Sequence, residues 1–333
     1  MSLLLTAALY YIITRRITLF NGTLSNKLFL LLISFLIALM ILGTLTSQFS
    51  DQKVFAILSS IGSRLLMIVL IMTILMAIEQ LFSFLLSFTP LKLPQCTRRG
   101  GITAIVMFFL FAYGVHQALT TTLTETTLTT DKIPHDLTIM LVADFHVDDL
   151  ISTLHLQELK KQIELQKPDL VLMAGDFFNR ANVRQATYYE ALSGISVPMY
   201  AVEGNHDTMG NLLALRHIEE RTPIKFLYNE SLLLPDWSLQ LIGIEEAGQW
   251  RNIGLNEVLE ASNIQTGDTF NILMTHQPIS LKKLVNFPID LEVAGHTHRG
   301  QIRGLSYLVA VVNDYGYGKY EENGRTAFIT QGI

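Results

Sequence analysis

Residues 137–146 read Leu-Thr-Ile-Met-Leu-Val-Ala-Asp-Phe-His, an apolar run that ends in a carboxylate and an imidazole. The run Leu137–Val142 has the length and composition of a buried strand, and Asp144 and His146 follow it directly. The arrangement recurs downstream. Asp169–Met173 is followed by Gly175-Asp176, and Val197–Val202 by Gly204-Asn205-His206-Asp207. Phe270–Met274 is followed by His276, and Leu291–Ala294 by Gly295-His296-Thr297-His298. Leu239–Gly243 reads as one more strand, while Leu154–Gln166, Asn182–Leu192, Leu212–Glu220 and Ser280–Val285 read as helix. Alternating strands and helices predict an α/β sheet. Such sheets collect ligands at the carboxyl ends of their strands, so five clusters distant in sequence are expected to share one site.

The chemistry of that site follows from its residue types. Five of the nine histidines lie in the clusters, together with Asp144, Asp176 and Asn205. Carboxylates, an amide carbonyl and imidazoles suit divalent or trivalent first-row metals, and the single cysteine, Cys96, excludes a thiolate zinc cluster. At the end of an extended strand, alternate residues point the same way, so both members of Asp144-x-His146 and of His296-x-His298 reach one site. Asp176 is placed to bridge two ions with its two oxygens, and a pair of ions can hold a hydroxide and clamp a phosphoryl group. Gly175, Gly204 and Gly295 allow close backbone approach beside the ligands.

The front of the chain is a different environment. Residues 1–120 hold eight Lys/Arg and two Asp/Glu, a balance of +6; the rest holds 16 basic and 27 acidic residues, a balance of −11. Leu28–Ser50 is 23 residues without a charge, and 54–89 and 102–121 are comparably apolar apart from residues such as Arg64 and Glu79. Each is long enough to cross about 30 Å of hydrocarbon, and residues 2–14 make a shorter fourth candidate. The basic loops around Arg15, Arg16 and Lys27, and around Lys92, Arg98 and Arg99, orient the bundle with the following domain outside the cytoplasm. The division expected is 1–121 transmembrane, 122–136 a Thr-rich linker, and 137–333 the α/β domain.

The order and spacing of the five clusters resemble the calcineurin-like metallophosphoesterase superfamily. The membrane front and Ala294-Gly295-His296-Thr297-His298 with Gln301 are similar to its bacterial membrane-attached branch, which includes relatives of UDP-2,3-diacylglucosamine pyrophosphatase. The resemblance implies a four-layer αββα sandwich behind three or four transmembrane helices. It implies one ion on Asp144, His146, Asp176 and His298, and a second on Asp176, Asn205, His276 and His296, with manganese, iron and zinc all compatible. It implies that His206 is no ligand but the catalytic acid. In one departure, Asn179 stands where relatives often carry an aspartate oriented toward that histidine, and the neighbouring Asp207 is the carboxylate placed to compensate. Arg180 and Arg299 are candidates for binding substrate phosphate.

The function expected is hydrolysis of a phosphoester or pyrophosphate by metal-activated hydroxide. The membrane front suggests membrane lipids as partners and a phosphorylated small-molecule or lipid-linked substrate. A metal-binding transporter or sensor is the alternative from another class, with Glu79 as its support. A nuclease is the third, and the −11 balance argues against nucleic acid.

Overall fold

The computed structural model describes residues 88–89, 106, 108–110, 112–117, 119–147, 152–178, 191–208, 212–246, 254–300 and 314–333. The chain divides into two compact units, Met1–Thr120 and Thr121–Ile333. In the first, the expected spans 2–14 and 28–50, nearly all of 54–89 with Glu79, and parts of 102–121 lie outside the described residues. Residues 108–110 and 112–117 are helical, and Phe108 and Phe109 on them are exposed. Among the described residues no helix is long and apolar enough to cross a membrane.

The second unit contains two sheets. The first has the order β1-β2-β3-β4, formed by Ile139–Val142, Leu170–Ala174, Met199–Val202 and Ile224–Phe226, all parallel. The second has the order β5-β6-β7-β8-β10-β9, formed in chain order by Glu230–Leu234, Leu239–Gly243, Phe270–Met274, Leu291–Ala294, Gly318–Glu322 and Arg325–Ile329. Its interior pairs are parallel and its two outermost pairs antiparallel.

Side-chain alternation along the strands sorts the core into layers. Leu170, Leu172 and Val202 of the first sheet meet Leu239, Leu241, Ile272, Met274 and Val293 of the second in one buried cluster between the sheets. On the outer face of the first sheet, Val142, Val171 and Met173 are covered by helix α1, Ser152–Gln166, through Leu156, Leu159 and Ile163. These three recur at helical spacing, and helix α2, Leu212–Arg221, adds Leu215 and Ile218 in the same way. On the outer face of the second sheet, Ile242, Leu273 and Ala294 are covered by Val258 and Leu259 of helix α3, Leu255–Ala261, and by a 3-10 turn at Leu281–Leu284. Strands covered on both faces are expected to be apolar; β2 is so throughout, while β6, β7 and β8 each carry one polar residue, Gln240, Asn271 and Glu292.

Several elements differ from expectation. The segment expected as helix at Ser280–Val285 is the shorter 3-10 turn Leu281–Leu284, which lies between Pro278 and a second proline, Pro288, that biases Phe287 away from helical conformation. Strands β4, β5, β9 and β10 and helix α3 were not anticipated. The last two strands carried a signal: Asn323 and Gly324 join them with φ of 53° and 73°, the Asn-Gly pattern of a tight hairpin. Within the stretch expected as a linker, Leu128 and Ile133 pack against the inter-sheet core, and Lys132 Nζ meets Asp290 Oδ1 at 2.7 Å.

Candidate metal centre

All five clusters leave the carboxyl ends of strands. Asp144 and His146 follow β1, Asp176 follows β2, Asn205 and His206 follow β3, His276 follows β7, and His296 and His298 follow β8. The first sheet and the second therefore both contribute. The strands stop one or two residues before the ligands, and the backbone then turns left-handed: φ is 57° at Asp144, 44° at His146, 53° at Asp176, 69° at His296 and 45° at His298. This corrects the expectation that extended alternation aims each pair. The pairs converge because each member sits in its own turn, a conformation that costs about 1–3 kcal/mol at a non-glycine residue and collects at functional sites.

The donor atoms face one another. His146 Nε2 lies 3.1 Å from His298 Nε2, and His298 Nε2 lies 3.4 Å from Asp144 Oδ1. Among the described residues three groups could hold an ion: Asp144, His146 and His298; His146, Asp176 and His206; and Asp144, Asp176 and His276. In the second region His276 Nε2 lies 3.2 Å from Asn205 Oδ1, from His296 Nδ1 and from Asp176 Oδ2. Ligands at about 2.0–2.2 Å from a common ion stand about 3.0–3.5 Å from their neighbours, so these spacings fit coordination. Asp176 Oδ2 is also 3.6 Å from His146 Nε2, which places one oxygen between the donors around His146 and those around His276. The bridge expected from two oxygens falls on one, since Asp176 Oδ1 accepts the N–H of His206 at 2.9 Å.

The supporting contacts are equally definite. His276 Nδ1 lies 2.9 Å from the carbonyl of Ala174, which fixes the ring and leaves Nε2 for the site. Asp144 accepts the N–H of His296 at 3.1 Å. A Cβ on Gly175 would fall 2.6 Å from His276 Nδ1, and one on Gly204 would collide with the carboxylate and backbone nitrogen of Asp176. Each of these glycines yields its space to a ligand from another cluster. Asp207 is fully buried and accepts the N–H groups of Phe177, Phe178 and Gly204, so it ties the Asp176 turn to the Asn205 turn through backbone contacts. The His206 ring is partly exposed and stands edge-on to His146, with centroids 4.7 Å apart. Arg299 stacks its guanidinium 4.8 Å from the centre of the Tyr317 ring. Asn179 and Arg180 lie outside the described residues.

Electrostatics follow from this crowding. Burial drives the His146 and His296 imidazoles down to about 4, the uncharged form a ligand needs. Burial also raises the Asp144 carboxyl. Asp176 and His276 behave oppositely: burial opposes charge on both, but their mutual hydrogen bond and attraction overcome it. The pair holds Asp176 near 2 and His276 near 9. In the metal-free protein, the stability contributed by His276 is complete below its ordinary 6.5 and is lost as pH rises through about 9. That contributed by Asp176 is present above its ordinary 3.8 and is lost as pH falls through about 2. A metal must displace the His276 proton. Manganese affinity, followed by calorimetric titration, is therefore expected to rise about tenfold per pH unit up to about pH 9, with proton release. An affinity flat across that range would contradict the pairing.

Residues 137–300 match the family described as calcineurin-like phosphoesterase. That stretch contains every ligand candidate named above. Residues 137–300 are a calcineurin-like phosphoesterase domain. The chain is 26% identical to an uncharacterized metallophosphoesterase of Helicobacter pylori, over 61% of this chain and 55% of that one. It is 26% identical to a zebrafish transmembrane protein with metallophosphoesterase domain, over 71% of this chain and 58% of that one. It is 28% identical to the Escherichia coli phosphodiesterase YaeI, over 50% and 62% respectively. The chain thus spans little more than half the length of these relatives. The calcineurin-like family uses a dinuclear metal centre, and the Asp/His groups found here supply donors of that kind.

Proposed function

We propose that this chain hydrolyses a phosphoester or pyrophosphate bond at a two-metal centre. The observation that carries the reading is the position of Asp176 Oδ2, within 3.6 Å of His146 Nε2 and 3.2 Å of His276 Nε2, between two groups of converging donors. Asp144, His146, Asp176 and His298 would hold one ion, and Asp176, Asn205, His276 and His296 the other. When bound, the ions supply the positive charge that activates water and neutralises phosphoryl oxygens.

The remaining roles belong to the chain itself. Asp176 and Asp144 fix the turns that present the imidazoles, through the N–H groups of His206 and His296. His206 is partly exposed at the edge of the site, where its ring can deliver a proton to the leaving oxygen of a substrate bound from solvent. Relatives named as a phosphodiesterase and as metallophosphoesterases support ester hydrolysis as the reaction.

The reading extends to a membrane-anchored enzyme acting outside the cytoplasm on a lipid-linked or envelope substrate. The uncharged stretch Leu28–Ser50, the exposed Phe108 and Phe109, and a zebrafish relative named as a transmembrane protein support it.

The test uses the full chain in detergent. Manganese-dependent release of p-nitrophenol from bis-p-nitrophenyl phosphate or p-nitrophenyl phosphate is expected, with kcat lowered about 10²–10⁴-fold in His206→Ala, the range of a lost general acid. Full activity in that variant would remove His206 from the chemistry, and absence of hydrolysis of either ester by metal-loaded wild type would sink the reading. A protease-protection assay on intact cells reads the sidedness.

A further inference from the structure

Strand β8 is buried at all four positions, and one of them is an acid: Leu291-Glu292-Val293-Ala294. A strand covered on both faces is expected to be apolar throughout, and a buried acid is costly unless its oxygens are used. Leu291 and Val293 face the core between the sheets, so Glu292 points the other way, toward the outer layer. It has no exposed surface there.

Its contacts are specific. Oε1 accepts the N–H of Ile279 at 2.6 Å and the hydroxyl of Thr275 at 3.2 Å. Among the described residues Oε2 has no hydrogen-bond partner. Thr275 and Ile279 are the two ends of the loop that leaves β7, and His276 stands inside it. One carboxyl oxygen thus closes the loop that carries a metal-ligand candidate. The same strand continues into Gly295 and His296, and Gly295 donates its N–H to the carbonyl of His276 at 3.0 Å. Burial pushes the Glu292 carboxyl up to about 8, so near neutral pH it is mainly the uncharged acid. A carboxamide offers the same carbonyl oxygen in the same place.

We infer that Glu292 is a positioning residue for His276: by holding Thr275 and Ile279 it sets where the imidazole stands, and so tunes the affinity of the Asp176, Asn205, His276 and His296 group for its ion. The inference rests on the two-metal reading given above. It also implies site selectivity, because the loop that Glu292 closes carries His276 and none of Asp144, His146 and His298.

The experiment is a manganese titration of the full chain in detergent, by calorimetry and electron paramagnetic resonance, on wild type, Glu292→Gln and Glu292→Met. Wild type is expected to take up two ions. Glu292→Gln, which keeps the carbonyl acceptor, should bind both within about threefold of wild type. Glu292→Met fills the same volume without an acceptor. It should bind one ion about 10–100-fold more weakly, the usual consequence of losing a ligand's supporting partner, and the other within about threefold. Wild-type affinity at both sites in Glu292→Met would overturn the inference and leave the two-metal reading standing. Equal weakening at both sites would overturn it as a general loss of structure, and Glu292→Gln as weak as Glu292→Met would overturn the role of the acceptor. A wild-type protein that binds fewer than two ions would overturn the two-metal reading and this inference together.

Discussion

Asp176→Ala is expected to lower kcat/KM by at least about 10³-fold, equivalent to about 4 kcal/mol of transition-state stabilisation. Removing a single donor to developing charge already costs about 10²–10³-fold in enzymes where this has been measured. Asp176 is a stronger case because one oxygen stands 3.6 Å from His146 Nε2 and 3.2 Å from His276 Nε2, so its loss weakens both groups at once. The variant also removes the charge that holds the His276 imidazole near 9, and Asp176 Oδ1 no longer accepts the N–H of His206. Asp176→Asn should fall between, since an amide oxygen still donates a lone pair but carries no charge. Steady-state rates across a manganese series, with ion content measured on the same samples, read both effects. Activity within tenfold of wild type at saturating manganese would mean that Asp176 is not the shared ligand.

Gly204→Ala is expected to destabilise the protein by about 3 kcal/mol or more, at or beyond the upper end of ordinary overpacking. The new methyl would meet the backbone nitrogen and carboxylate of Asp176, and no rotamer change relieves a clash with backbone. The turn after β3 would have to withdraw from the turn after β2, carrying Asn205 and His206 away from the site. Gly194→Ala is the control. Nothing lies within 4 Å of its added methyl, and its φ of 74° leaves only the left-handed penalty of about 1–2 kcal/mol. Thermal melts of the two variants in the same detergent should separate them clearly. Equal melting temperatures would show that the approach of the two turns is looser than the structure describes.

The fold was legible where burial on both faces makes a strand apolar at most of its positions. Leu239–Gly243, Phe270–Met274 and Leu291–Ala294 were read with the boundaries they have. The gathering of the five clusters was legible in part: each follows a strand, and strands of one sheet end side by side, but three clusters leave the first sheet and two the second. Four features were hidden. Left-handed turns at Asp144, His146, Asp176, His296 and His298 leave no mark in hydrophobic periodicity, and Asp or His at such a position looks like Asp or His anywhere. The insertion of β10 between β8 and β9 is a long-range choice that no local pattern encodes, although Asn323-Gly324 announced the hairpin itself. Glu292 gives no local sign that its side chain is buried and accepts the N–H of Ile279 and the hydroxyl of Thr275. Asp207 reads as a partner for the His206 ring, but the hydrogen bonds it accepts come from the N–H groups of Phe177, Phe178 and Gly204.

The two groups of ligands each draw on both sheets. Asp144 and His146 come from the first and His298 from the second; Asp176 and Asn205 come from the first and His276 and His296 from the second. An ion in either group is therefore a removable rivet through the seam between the layers. At a concentration 100 times its dissociation constant, one such ion adds about 2.7 kcal/mol to the folded state. Scarcity of metal would then do more than idle the site. It would loosen the seam along Leu172, Leu241 and Ile272 and expose the chain to proteolysis, so that the amount of this protein, read by its half-life with and without chelator, would follow the supply of the ion it uses.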